Sequence, residues 1–247
     1  MLSIYTKLRD LGKTDPVVID AADTDVFTAA AHVAHLYNQD LFIKRKEGFA
    51  DCKQLVNRSM VNSIIPLHVM TGCDATSGFF GKGKSILFNK VYDSERAQLQ
   101  LQHCGANGEL EEEGLQELLK FTREIVYGDF SSTTMAESRA AKWHGQKRKS
   151  FCRLPPDEDS LRQHIKRANY LSFLQRNPSM TVHPSPLGKG WELVDGICNP
   201  VRYTKPPLPE HLTAANSSAE ILSVDDLPTD SDYDFSTDED CSDIDSE

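Results

Sequence analysis

Thr71-Gly72-Cys73-Asp74-Ala75-Thr76-Ser77-Gly78-Phe79-Phe80-Gly81-Lys82-Gly83-Lys84 is the stretch on which the reading of this chain turns. It sets Asp74 after a Gly-Cys turn, then a glycine-rich turn with two lysines, then the apolar segment Ser85–Val91. Upstream stands Asp20-Ala21-Ala22-Asp23-Thr24-Asp25, directly after the apolar run Val17-Val18-Ile19. A short β-branched run closed by acids reads as a buried strand whose end carries carboxylates. Carboxylate oxygens gathered at strand and helix ends suit a hard cation, Mg²⁺ or Mn²⁺. A Gly-Lys turn that opens a helix suits a phosphate backbone, because free N–H groups and ammonium charge meet there.

Each signal has a plainer reading beside it. Asp23 or Thr24 is equally suited to cap the helix that follows. Asp20 is either a further ligand or a strand-end residue. Asp74 reads also as a turn aspartate bonded to its own backbone, and Gly81-Lys82-Gly83 as a surface turn. His32 and His35 lie near one helix face and read as packed or surface histidines. Trp191 reads as a packing anchor.

Working outward, the pattern predicts an α/β chain. A strand is expected over 16–20 and a second over 41–44. Helical spacing covers Thr24–Leu36, where Val26, Phe27, Ala30, Val33 and Ala34 recur. A helix is expected over 55–71, with Val56, Met60, Ile64 and Leu67 on one face and Pro66 marking a kink or a fresh start. Further helices are expected over 85–92, 111–127, 133–147 and 157–174. The third-last is the clearest: Leu115, Leu118, Leu119 and Ile125 make an apolar stripe, and Glu111–Glu113 favour its N-terminus. Beyond 174 the chain reads as Pro-rich and irregular. Two strands do not make a free-standing sheet with both faces covered, so the sheet is expected to lack strands that another chain, or a lost segment, would supply.

Ala22-Asp23-Thr24-Asp25-Val26-Phe27, Met70-Thr71-Gly72-Cys73-Asp74 and Gly81-Lys82-Gly83-Lys84 follow one another in the order and spacing of a known pattern. Together they resemble the second half of the flap-endonuclease-like branch of the PIN-like nucleases, as carried by animal proteins associated with mobile elements. That half runs strand, Asp-x-Asp, helix, strand, helix, Gly-(Ser/Cys)-Asp, then a Gly-x-Gly hairpin opening a helix. The resemblance implies that Asp23, Asp25 and Asp74 stand at catalytic metal-site positions. It implies that Gly81, Lys82, Gly83 and Lys84 grip a nucleic-acid backbone. The family's other carboxylates lie upstream of Asp-x-Asp, and no such segment precedes it here. Two-metal phosphodiester hydrolysis needs enough oxygen ligands for two cations, and three aspartates fall short. The division expected is a partial PIN-like half-domain over 1–92, a helical extension with a Pro-rich end over 93–205, and an acidic tail over 206–247.

Charge is unevenly spread. The chain of 247 residues carries −10, but 206–247 holds 13 acidic residues and no Lys or Arg, which leaves 24 acidic against 27 basic residues, or +3, for 1–205. A mildly basic body can approach a polyanion, and an acidic tail opposes one. The tail has little to bury and is expected to be disordered. Thr229, Ser231, Ser236, Thr237 and Ser242 each have an acid three positions on, as acid-directed kinases of the casein-kinase-two type prefer. Lys142, Lys147, Arg148, Lys149 and Arg153, interleaved with Trp143, His144 and Phe151, make either a nucleic-acid or targeting patch or a solvated helix end. Six cysteines, none in a Cys-x-x-Cys pair, and no long apolar run point to reduced thiols in a nuclear or cytoplasmic protein without a membrane span. Scattered Cys and His lack the short spacings of structural zinc.

The expectation is a nuclease-like protein that binds DNA or RNA weakly, or docks a protein partner that completes the half-domain, without cutting. The alternative is a Mg²⁺-dependent structure-specific nuclease, active once its missing carboxylates are supplied.

Overall fold

The computed structural model describes residues 12, 15–147, 150–177 and 180–205. The described residues belong to one compact unit that ends at Lys205. The acidic tail, its expected disorder and its five phosphorylation candidates lie outside the described residues.

The fold mixes helices and strands, as expected. Strand β1 (Val17–Ile19) leads into helix α1 (Thr24–Leu36), which returns to β2 (Leu41–Arg45). β1 and β2 pair in parallel with Ile19 opposite Ile43, and β3 (Gly48–Asp51) pairs antiparallel to β2, so the order is β1-β2-β3. β3 was not expected. Its Gly-Phe-Ala-Asp is largely exposed and has no apolar alternation. It exists because Lys46-Glu47 closes a tight hairpin whose Gly48 takes φ 119°. Among the described residues β1 has a strand partner on one side only.

α1 is buried along Thr28–Ala34. Ala30, Val33 and Ala34 meet Ile19, Leu41 and Ile43 of the sheet, while Ala31 joins a larger core on the other side. Four alanines let this helix lie between two layers. His32 and His35 are packed, as the plainer reading had it. His32 Nδ1 bonds the Val61 carbonyl at 2.8 Å, and His35 Nε2 the Lys53 and Val56 carbonyls at 3.0 Å.

The single helix expected over 55–71 is broken. Asn57 caps a short turn at Arg58–Met60, its side chain accepting from the Met60 N–H at 3.0 Å. Helix α2 (Ile64–Met70) then starts afresh, with Pro66 in its first turn where a missing N–H loses nothing. Every residue of α2 is buried, and it packs on α1 and on the long α7 (Glu158–Arg176).

α3 (Lys84–Tyr92), α5 (Glu112–Phe121) and α6 (Met135–Gly145) form where the pattern placed helices. α4 (Glu95–Gln102) was unforeseen, since Glu-Arg-Ala-Gln-Leu-Gln-Leu-Gln offers only Ala97 and Leu101 as a buried pair. α5 does not run to Tyr127 as one α-helix: Thr122–Val126 widens into a π turn, closed by the Tyr127 N–H on the Thr122 carbonyl at 3.1 Å. Residues on both sides of position 92, from Val56 to Ala168, share one core. The segment read as irregular beyond α7 holds a hairpin, β4 (Trp191–Val194) and β5 (Ile197–Pro200), turned by Asp195-Gly196 with φ 51° and 78°. No helix among the described residues is long and apolar enough to cross a membrane.

Candidate nucleic-acid interface

Asp23 caps α1. Its Oδ1 accepts the Asp25 N–H at 3.0 Å, satisfying one of the free donors of the first turn. Asp25, one residue inside the helix, faces the buried His68 of α2, and its Oδ1 bonds His68 Nε2. On the other side of that ring Lys84 Nζ lies 3.5 Å from His68 Nδ1. An ammonium only donates, so Nδ1 accepts and Nε2–H donates to Asp25. The result is a polar chain, Lys84 to His68 to Asp25, joining the start of α3 to the start of α1. Asp20 pairs with Lys44 of the neighbouring strand at 2.7 Å.

Asp74 lies in the turn between Gly72 and Gly78. Gly72 takes φ 113°, and a Cβ there would sit 2.9 Å from the Gly78 backbone, so two glycines let the chain cross itself. Between them Cys73 and Thr76 exchange backbone hydrogen bonds at 3.1 and 3.2 Å, and Thr76 Oγ1 anchors the turn to the Val69 carbonyl at 2.6 Å. Asp74 is exposed at the tip. Among the described residues no three of His, Cys, Asp and Glu stand close enough to hold a metal ion. The structure thus spends Asp23 on a helix cap and joins Asp25 to a histidine. His68 was missed in the sequence, although it is the one polar side chain in Ile64-Ile-Pro-Leu-His-Val-Met70.

The Gly-Lys turn does open a helix. Gly81 takes φ 67°, the Lys82 N–H bonds the Phe79 carbonyl at 3.0 Å, and Gly83 is the N-cap of α3 with no side chain to satisfy its first N–H groups. Lys82 Nζ lies 5.4 Å from the centre of the Tyr127 ring. Burial, then the charges of Lys142 and Lys90, press the Lys82 ammonium below its ordinary pKa. Lys90 also donates to the Ile125 carbonyl, at the end of the π turn, at 3.2 Å. Among the described residues none of these three lysines forms an ion pair with a carboxylate. The charges of Lys90 on α3 and of Lys142 on α6 thus reach Lys82 in the turn before α3, from two regions that the sequence treats separately. Arg148 and Lys149 of the basic run lie outside the described residues. Beside Lys142, Trp143 stacks on Phe151 at 4.9 Å and 22°.

Comparison with family models, curated proteins and solved structures finds no match for this chain.

Proposed function

We propose that this chain is a nuclease-like module that holds a nucleic-acid backbone without cutting it, built on the second half of a PIN-like fold. The observation that carries this reading is Lys82 at the Gly81-Lys82-Gly83-Lys84 turn, over the Tyr127 ring and within reach of the Lys90 and Lys142 charges, with no carboxylate partner for these lysines among the described residues. Like charges held together are costly to a folded chain, and a polyanion relieves the cost. Contacts of this kind read phosphate and not base identity, which suits either DNA or RNA. The engagement of Asp23 and Asp25 with a helix cap and with His68 supports the non-catalytic side of the proposal.

A second reading keeps Asp25 as a ligand for Mg²⁺ or Mn²⁺. One observation favours it: Asp25 remains about a third exposed where the parallel strand β1 hands over to α1, and strand ends of this kind are where α/β folds place ligands. One experiment separates the two. Labelled single-stranded and duplex DNA are titrated with the whole chain, with and without Mg²⁺ or Mn²⁺. Retention without cleavage is expected, and Lys82→Ala with Lys142→Ala should weaken it by about tenfold and flatten its salt dependence. Metal-dependent cleavage abolished by Asp25→Asn would establish the second reading instead. Unchanged binding in the double variant would remove the lysine face from the account.

A further inference from the structure

A cleft of ≈ 430 Å³ opens between the Ser77–Phe80 loop, α7 and the strand end that follows β5. That volume is in the range of small-ligand sites. Its wall holds Arg167, 7% exposed, whose only side-chain hydrogen bonds among the described residues are from Nη1 to the carbonyls of Val201 and Gly190. Among the described residues the rest of the guanidinium has no hydrogen-bond acceptor. Among the described residues no carboxylate pairs with it: burial, then the neighbouring charge of Arg202, lower its pKa. A buried cation beside a second cation, with no counter-ion, is a costly arrangement that an anion would relieve. Two guanidinium groups present forked donors that match phosphate.

The rest of the lining is aromatic. Phe80 is 63% exposed and Tyr203 52% exposed, both at the cleft. Exposed ring faces beside a cationic pocket offer a stacking surface for a base. His164, also in the wall, donates Nε2–H to the Met70 carbonyl at 3.0 Å, which leaves Nδ1 as an acceptor.

We propose that this cleft takes one nucleoside monophosphate unit, its phosphate on Arg167 and Arg202 and its base against Phe80 and Tyr203. The unit comes either as a free mononucleotide or as one nucleotide of a single strand. The cleft adjoins the lysine face through Tyr127, and Arg202→Gln, outside that face, tells the two apart.

The test uses the full chain and adenosine monophosphate, followed by calorimetry, with adenosine and a single-stranded oligoadenylate as companion probes. Adenosine monophosphate should bind saturably, and adenosine at least about tenfold more weakly, since the charged contact is lost. Arg202 is exposed, so Arg202→Gln should leave the fold intact and weaken adenosine monophosphate by about tenfold. Tyr203→Ala should weaken it too. Competition by the oligoadenylate identifies a strand nucleotide as the source, and lack of competition a free one. Equal binding of adenosine and its monophosphate, or full affinity in Arg202→Gln, overturns the proposal. So does absence of saturable mononucleotide binding together with oligoadenylate affinity unchanged by Arg202→Gln.

Discussion

His164 is 7% exposed on α7, and burial lowers its pKa from 6.5 to about 4; the Met70 carbonyl opposes that shift and the Arg167 charge adds to it. The folded chain therefore binds fewer protons than the unfolded chain between those two values. The sign follows directly. The contribution to stability is complete above the unfolded pKa and is lost as pH falls from about 6.5 toward about 4, to a total of ~3 kcal/mol. His32, also pushed down by burial first, acts in the same direction. Urea unfolding should accordingly show falling stability between about pH 7 and about pH 5, above the carboxylate range. His164→Gln, which keeps an N–H for Met70, should flatten that slope. A slope unchanged by the substitution would mean that His164 is not held neutral by its surroundings.

At the scale of elements, the joints matter more than the helices. The turn after α4 holds Gly105, with φ 74°, whose N–H bonds Asn169 Oδ1 of α7 at 2.8 Å. A Cβ there would lie 2.5 Å from Ser172 Cβ and 2.7 Å from the Ser172 carbonyl carbon. Gly128, with φ 70°, has open space where a Cβ would go. Gly128→Ala should then cost only the strain of a left-handed backbone, about 1 kcal/mol. Gly105→Ala should cost that and the separation of α4 from α7, on the order of 3 kcal/mol. Equal losses in chemical denaturation would show that the α4–α7 joint yields. The π turn at Thr122–Val126 is another such joint. It sets Tyr127 beneath Lys82 and leaves the Ile125 carbonyl to Lys90.

For the whole molecule the governing quantity is charge. Removing 206–247 takes away 13 acidic residues and turns a net −10 into +3. Affinity for phosphate backbones follows counterion release and the sign of the field around the protein. The chain lacking 206–247 should bind single-stranded and duplex DNA more tightly than the full chain at low salt. The gain should shrink towards physiological salt, where the Debye length is about 8 Å. Equal affinities at every salt concentration would show that the acidic segment does not oppose binding.

Apolar periodicity alone located β1, α1, α3, α5 and α7, because a stripe of buried side chains repeats at the period of the element that buries it. Glycine chemistry was equally legible at Gly72 and at the Gly81-Lys82-Gly83 turn. The Asp195-Gly196 signal of the C-terminal hairpin stood in the sequence and was passed over among its prolines. Short or exposed elements such as β3 and α4 carry too few buried residues to leave a pattern. The use of each acid and cation was decided only by tertiary structure. Asp23 and Asp25 read alike in sequence, yet one caps a helix and the other meets His68, because α2 lies against the start of α1. Lys82 and Lys142 are far apart in the chain, yet the Lys142 charge reaches Lys82 in the fold, and among the described residues Arg167 acquires Arg202 and not a carboxylate. A charge acts through whatever the packing of distant segments brings within reach, and local sequence holds no record of that distance.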